Sequence, residues 1–221
     1  MHPPDAQSPL RGRGRSRIGL VVLFVVLVAA ACGGSASRSS GSATSSTSST
    51  SSASPGGPSG QLLAALGNGP DGNPVDGVAC NAGEQLAYHI HAHLAVYVNG
   101  QPALIPYGIG IKQPVAEQTS AGPFVAQGDC FYWIHVHDLS GVIHIESPTQ
   151  RTYTLGQFFD LWGQPLSATQ VGPASGPVTA FVNGSPFQGD PRSIPLDAHQ
   201  VIQLDVGTVV PPQPYHFPSG L

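Results

Sequence analysis

Six of the chain's nine histidines fall between residues 89 and 144. His89, His91 and His93 alternate in YHIHAHL, His135 and His137 in IHVHDLSG, and His144 follows in IHIES. Neutral imidazole is the commonest side-chain ligand for zinc, copper and nickel. Along a strand, residues two apart share a face, with Cα atoms about 6–7 Å apart. Two rings can converge on one ion from that span, and two such pairs on neighbouring strands would supply four nitrogens. Three protein ligands and an open position make a catalytic zinc site; four make a closed structural one. The pattern predicts a divalent transition-metal site on His89, His91, His93, His135, His137 and His144. Asp138 and Glu146 are expected as further ligands or as acceptors that orient the rings.

The metal is narrowed by composition. Met1 is the only methionine, which excludes a methionine-rich Cu(I) carrier. Among the divalent ions, copper is favoured by affinity order and zinc by tetrahedral convergence of four histidines. His199 and His216 lie outside the spacing pattern. Other uses of the cluster stay open: a hydrogen-bonded polar network without metal, or a pH-sensitive surface.

Other chemistry finds little footing. The chain has no G-x-S-x-G elbow and no S-x-x-K, and its glycines lack the strand–GxGxxG–helix context of a nucleotide site. HVHD superficially resembles a cupin H-x-H, but Leu139-Ser140-Gly141 makes a turn in place of the expected continuation. A histidine-metal enzyme such as a hydratase or oxygenase remains the alternative, and a structural or ligand-binding module without metal the third reading.

The elements that must position these histidines are mostly strands. In each histidine segment the alternate residues are small or apolar: Ile90, Ala92 and Leu94; Ile134 and Val136; Ile143 and Ile145. One face of each strand thus belongs to a core, and the histidine faces form one surface if the strands are neighbours. HLAVYVNGQPALIP reads as a hairpin about Asn99-Gly100. VTAFVNGSPF repeats that pattern and predicts a second one. FYWIHVHDLSGVIHIES reads as two strands about a turn at 138–141. YGIGI and the Gly/Pro-rich stretch to Gly128 read as loop with at most a short strand. QLLAAL at 61–66 reads as one or two helical turns, and HQVIQLDVG as a last strand.

One segment changes period. In TYTLGQFFDLWG, Leu155, Phe158, Phe159 and Trp162 fall on one helical face. Thr154 and Gln157 have capping-box spacing, and Gly163 suits the stop. Strands, one amphipathic helix and more strands predict an α+β domain, a mostly antiparallel sheet packed on that helix. A β-grasp-like layout is the preferred version and a small β-sandwich the alternative.

The N-terminus predicts a location. Arg11, Arg13, Arg15 and Arg17 precede a continuous apolar run, Ile18 to Ala30. That run is shorter than the roughly 20 residues needed to span a bilayer and fits a secretory signal. Small residues then lead directly into Cys32, as in a bacterial lipobox. The expectation is a lipoprotein signal peptide at 1–31, a lipidated Cys32 with a Ser-rich disordered tether at 32–60, and a single domain at 61–221. Twelve of the twenty residues from Ser35 to Ser54 are serine, too polar to offset the entropy of ordering. The expected location is the cell membrane, lipid-anchored on the extracytoplasmic side.

Without the signal, four basic side chains face eleven acidic ones, a net charge of −7. That excludes a nucleic-acid partner, which needs a basic footprint, and is compatible with binding cations. In an oxidising compartment Cys80 and Cys130 are expected as a disulfide, tying together the entries of the two histidine strands. Thiolate ligation is the alternative.

The strings HIHAHLAVYVNG, CFYWIHVHDLSGVIHIESP and TLGQFFDLWG resemble a family of uncharacterised bacterial and archaeal secreted or lipid-anchored proteins, over residues 80–206. The resemblance implies the extent of the domain and an envelope location, and no particular activity.

Overall fold

The computed structural model describes residues 60–221. The expected signal peptide, Cys32 and residues 33–59 lie outside the described residues. The described chain is mostly sheet with one helix. No helix in it is long and apolar enough to cross a membrane.

The strands run in chain order as β1 (Gln61–Leu62), β2 (Cys80–Asn81), β3 (Tyr88–Val98), β4 (Gln101–Leu104), β5 (Ile111–Lys112), β6 (Val115–Thr119), β7 (Gly122–Gln127), β8 (Cys130–Tyr132), β9 (Ile134–His135) and β10 (Val142–Ser147). After helix α1 (Leu155–Trp162) come β11 (Leu166–Ser167), β12 (Gln170–Val171), β13 (Ala174–Ser175), β14 (Val178–Val182), β15 (Ser185–Phe187) and β16 (Gln200–Val206).

The main sheet has the order β1-β4-β3-β16-β14-β15, with β10 also paired to β3 and β9 to β10. At 11 residues, β3 is long enough to take two neighbours on one edge. Its first half pairs with β10 and its second half with β4, both antiparallel. On its other edge β16 runs parallel to it from Ala92 to Val98. A parallel neighbour needs a long crossover, which here contains α1. The sheet is therefore mixed, with parallel pairs β3–β16 and β1–β4 among antiparallel ones.

Both Val-Asn-Gly sequences make the expected turns. Asn99 and Gly100 have φ of 51° and 80°, and Asn183 and Gly184 of 50° and 77°. Two consecutive positive φ values define the turn that matches strand twist in a two-residue hairpin. Helix α1 also starts and stops where the sequence indicates. Thr154 Oγ1 accepts from the Gln157 amide, and Gln157 Oε1 accepts from the Thr154 amide at 2.9 Å. Gly163 ends the helix in the left-handed region. Leu155, Phe158, Phe159 and Trp162 share one buried cluster with Ala92, Leu94, Val96, Ile134, Ile143, Ile145, Ile202 and Leu204. The helix thus fills the core on the sheet face opposite the histidines.

Two segments depart from the sequence reading. QLLAAL forms no helix: Gln61 and Leu62 pair with Ala103 and Leu104 at the sheet edge, since an isolated turn costs more to nucleate than it returns. The stretch before Gly128 holds a hairpin, β6–β7. All five β6 side chains are exposed, so the alternating apolar pattern that identifies a strand is missing. Cys80 and Cys130 form the expected disulfide, joining β2 to β8, which are also hydrogen-bonded neighbours.

Candidate metal centre

Strand register brings the histidine faces together. In β10, His144 stands opposite His91 of β3 on one side and opposite His135 of β9 on the other. Glu146 stands opposite His89. Three adjacent strands therefore present His89, His91, His135, His144 and Glu146 on one surface, and His137 joins them just beyond β9. The His144 ring centroid lies 4.5 Å from that of His91 and 4.6 Å from that of His137.

His135 is fully buried. Its Nδ1–H donates to the Tyr132 carbonyl at 2.8 Å, and that of His137 donates to the Val125 carbonyl. Those bonds set the tautomer: each ring then keeps a lone pair on Nε2. The two Nε2 atoms stand 3.1 Å apart, close to the separation of about 3.3 Å between two nitrogens bound at 2.0–2.1 Å to one tetrahedral ion. Gly110 makes the approach of this segment possible. It has a φ of 73°, and a Cβ there would collide with the Ile134 carbonyl and crowd His135. Strand β7 holds His137 from outside, through the Val125 amide on the His137 carbonyl and the Phe124 ring stacked on the imidazole.

The second pair is more open. His89 and His91 bring their Nε2 atoms to 2.9 Å, with the His89 side chain 36% exposed and His91 buried. Glu146 lies between the pairs and is 2% exposed. Its Oε1 is 3.0 Å from His89 Nε2 and accepts from His144 Nδ1 at 3.2 Å. Its Oε2 is 3.9 Å from His135 Nε2 and is buried with no hydrogen-bond partner. The donors of His135, His137, His144 and Glu146 lie within 4.8 Å of one another, as do those of His89, His91 and His144.

Burial keeps the rings of His91, His135 and His137 neutral. Desolvation, followed by the neighbouring histidines, lowers His91 to a pKa of about 4 and His135 to about 3. His137 is lowered chiefly by burial as well. Burial alone would raise the Glu146 carboxyl, but the His144 hydrogen bond and the surrounding histidines outweigh it and hold it below its ordinary value. At neutral pH the face therefore holds a buried carboxylate beside the neutral rings of His91, His135 and His137. Among the described residues no lysine or arginine pairs with Glu146, whose carboxylate pairs with His89, His135 and His144. A buried anion without a counter-charge is costly, and a cation held by the adjacent lone pairs would balance it.

Of the residues expected at the site, two stand apart. His93 lies opposite Val142, not opposite another donor. Its Nε2–H donates to the Ser140 carbonyl at 3.0 Å, and its ring stacks on Tyr215 at 3.6 Å. Asp138 accepts from the Ser140 amide at 2.9 Å and shapes the turn. One acidic group at the edge was not anticipated: Glu84 Oε1 is 3.5 Å from His137 Nε2. The expected disulfide contained the signal for it, because pinning Cys80 to Cys130 brings the residues just after Cys80 toward the β9 histidines.

No family model matches the chain, and neither the curated proteins nor the solved structures contain a match.

Proposed function

We propose that this chain is a lipid-anchored extracytoplasmic domain that binds a divalent transition metal, copper or zinc, for metal binding, delivery or sensing. The observation that carries the reading is the His135–His137 pair. Both Nδ1 hydrogens are committed to backbone carbonyls, so two Nε2 lone pairs face one point. His144 and Glu146 complete the set as ligand and as counter-charge. The anchor rests on the N-terminal sequence pattern ending in Cys32. A β-grasp-like fold is supported by the sheet order β4-β3-β16-β14, with β3 and β16 parallel at its centre and α1 in the connection.

One observation favours the enzyme reading as the second. His89 is partly exposed beside the buried set, and a hydratase or oxygenase would need an open coordination position of that kind. The test of metal binding is elemental analysis of the purified protein beside a His91→Ala/His135→Ala variant. Stoichiometric metal that is lost in the variant supports it. Wild-type protein without metal after incubation with Cu(II) or Zn(II) would leave the structural or ligand-binding module as the reading.

A further inference from the structure

The histidine face holds more donors than one ion takes. Five imidazoles and one carboxylate converge on it, whereas zinc sites are almost always four-coordinate. The donors also divide. One group draws on His135, His137, His144 and Glu146, the other on His89, His91 and His144. Their pairs come from strands on opposite sides of β10, so their backbones are about 10 Å apart at ordinary strand spacing. His89 and His135 flank His144, with ring centroids 6.1 and 5.5 Å from it. Each pair brings its two Nε2 atoms to 2.9 or 3.1 Å, so each can grip an ion by itself.

Glu146 spans the gap. Oε1 faces His89 Nε2 at 3.0 Å and Oε2 faces His135 Nε2 at 3.9 Å. Its two oxygens are thus turned to different pairs. The Oε2 atom is buried and without a hydrogen-bond partner, as expected of an oxygen that meets a cation. Solvent reaches the two pairs unequally: His89 is partly exposed, while His135 and His137 are buried.

We propose that the face carries two cation stations: an inner one at His135 and His137 and an outer, solvent-facing one at His89 and His91, joined by Glu146 and His144. The outer station takes a divalent ion of the same class, copper or zinc. A carboxylate with one oxygen turned to each station gives an ion a short route from the outer pair to the buried one. This inference rests on the metal-binding reading above and adds a second ion to it.

Native mass spectrometry of the full-length chain in Zn(II), after removal of loosely held metal, counts the ions. The expected result is two per wild-type chain and one for His89→Ala/His91→Ala, the outer ion being lost. Three results overturn the proposal while leaving metal binding intact. One ion in both proteins leaves only the inner station. One ion in the wild type and none in the variant means that a single ion spans both groups. Two ions in both place the second ion elsewhere. No bound ion in the wild type overturns metal binding as well. The wild-type count needs no variant, and Cu(II)-loaded wild-type protein gives a second readout. Magnetic coupling between two close Cu(II) ions is expected in its electron paramagnetic resonance spectrum, and isolated-ion signals alone contradict it.

Discussion

The Nε2 atoms of His135 and His137 face each other across 3.1 Å, and neither has a proton to place between them. The Nδ1–H groups donate to the carbonyls of Tyr132 and Val125, and burial holds both rings neutral. Two lone pairs at that distance repel unless a cation lies between them. The same backbone bonds that order the loops therefore also prepare the pair as a ligand.

Acid should destabilise the metal-free protein. The folded-state pKa is about 4 for His91 and about 3 for His135, below the ordinary 6.5. In the interval between, the unfolded chain binds more protons than the folded one, so stability rises with pH. The contribution is fully present above about pH 6.5 and is lost progressively as pH falls toward the folded values. Urea denaturation of chelator-treated protein at pH 7 and pH 4.5 should show a clearly lower midpoint in acid. Equal midpoints would mean that the rings charge freely in the fold.

Glu146→Gln should separate affinity from stability. The amide keeps an acceptor for His144 but removes the buried charge. Metal affinity is expected to fall 10–100-fold, the usual range for a partner that supports a metal ligand, as measured by chelator competition. Thermal unfolding of the metal-free variant should occur no lower than that of the wild type. Unchanged affinity would remove Glu146 from the site.

Loss of the Cys80–Cys130 bridge should cost about 4 kcal/mol, the loop-closure value for a span of this size. The two cysteines are separated by 50 residues and link β2 to β8, next to the segment that carries His135. Denaturant unfolding of the Cys80→Ala/Cys130→Ala variant measures it. A cost under about 1 kcal/mol would show that the β2–β8 pairing and core hold this region without the bridge.

Thr154→Ala should cost about 1 kcal/mol through the lost helix cap and leave metal capacity unchanged. Helix α1 packs on the core face of the sheet, away from the histidines. Paired unfolding and metal-content measurements check both halves. A loss of metal in this variant would mean that the two sheet faces are coupled.

Local patterns were legible before the fold was known. Alternation in β3, β9 and β10 separated histidine faces from core faces, and Asn99-Gly100, Asn183-Gly184 and the Thr154–Gln157 capping box marked turns and a helix start. Register and long-range contacts were not legible. His93 shares the face of His89 and His91, yet pairing puts Val142 opposite it and Tyr215, far along the chain, covers its ring. The parallel pairing of β3 with β16 depends on a crossover of about a hundred residues, which no short window contains. The exposed β6 gave no period to read, and in QLLAAL a sheet edge outcompeted helical propensity.

The central claim is that imidazoles of this face bind the metal directly. X-ray absorption spectroscopy of the zinc-loaded protein tests it most directly. The account predicts a shell of nitrogen and oxygen at about 2.0–2.1 Å with the outer-ring scattering of at least two imidazoles per zinc. That scattering should be reduced in His135→Ala/His137→Ala. A shell of oxygen alone, without imidazole scattering, would contradict it.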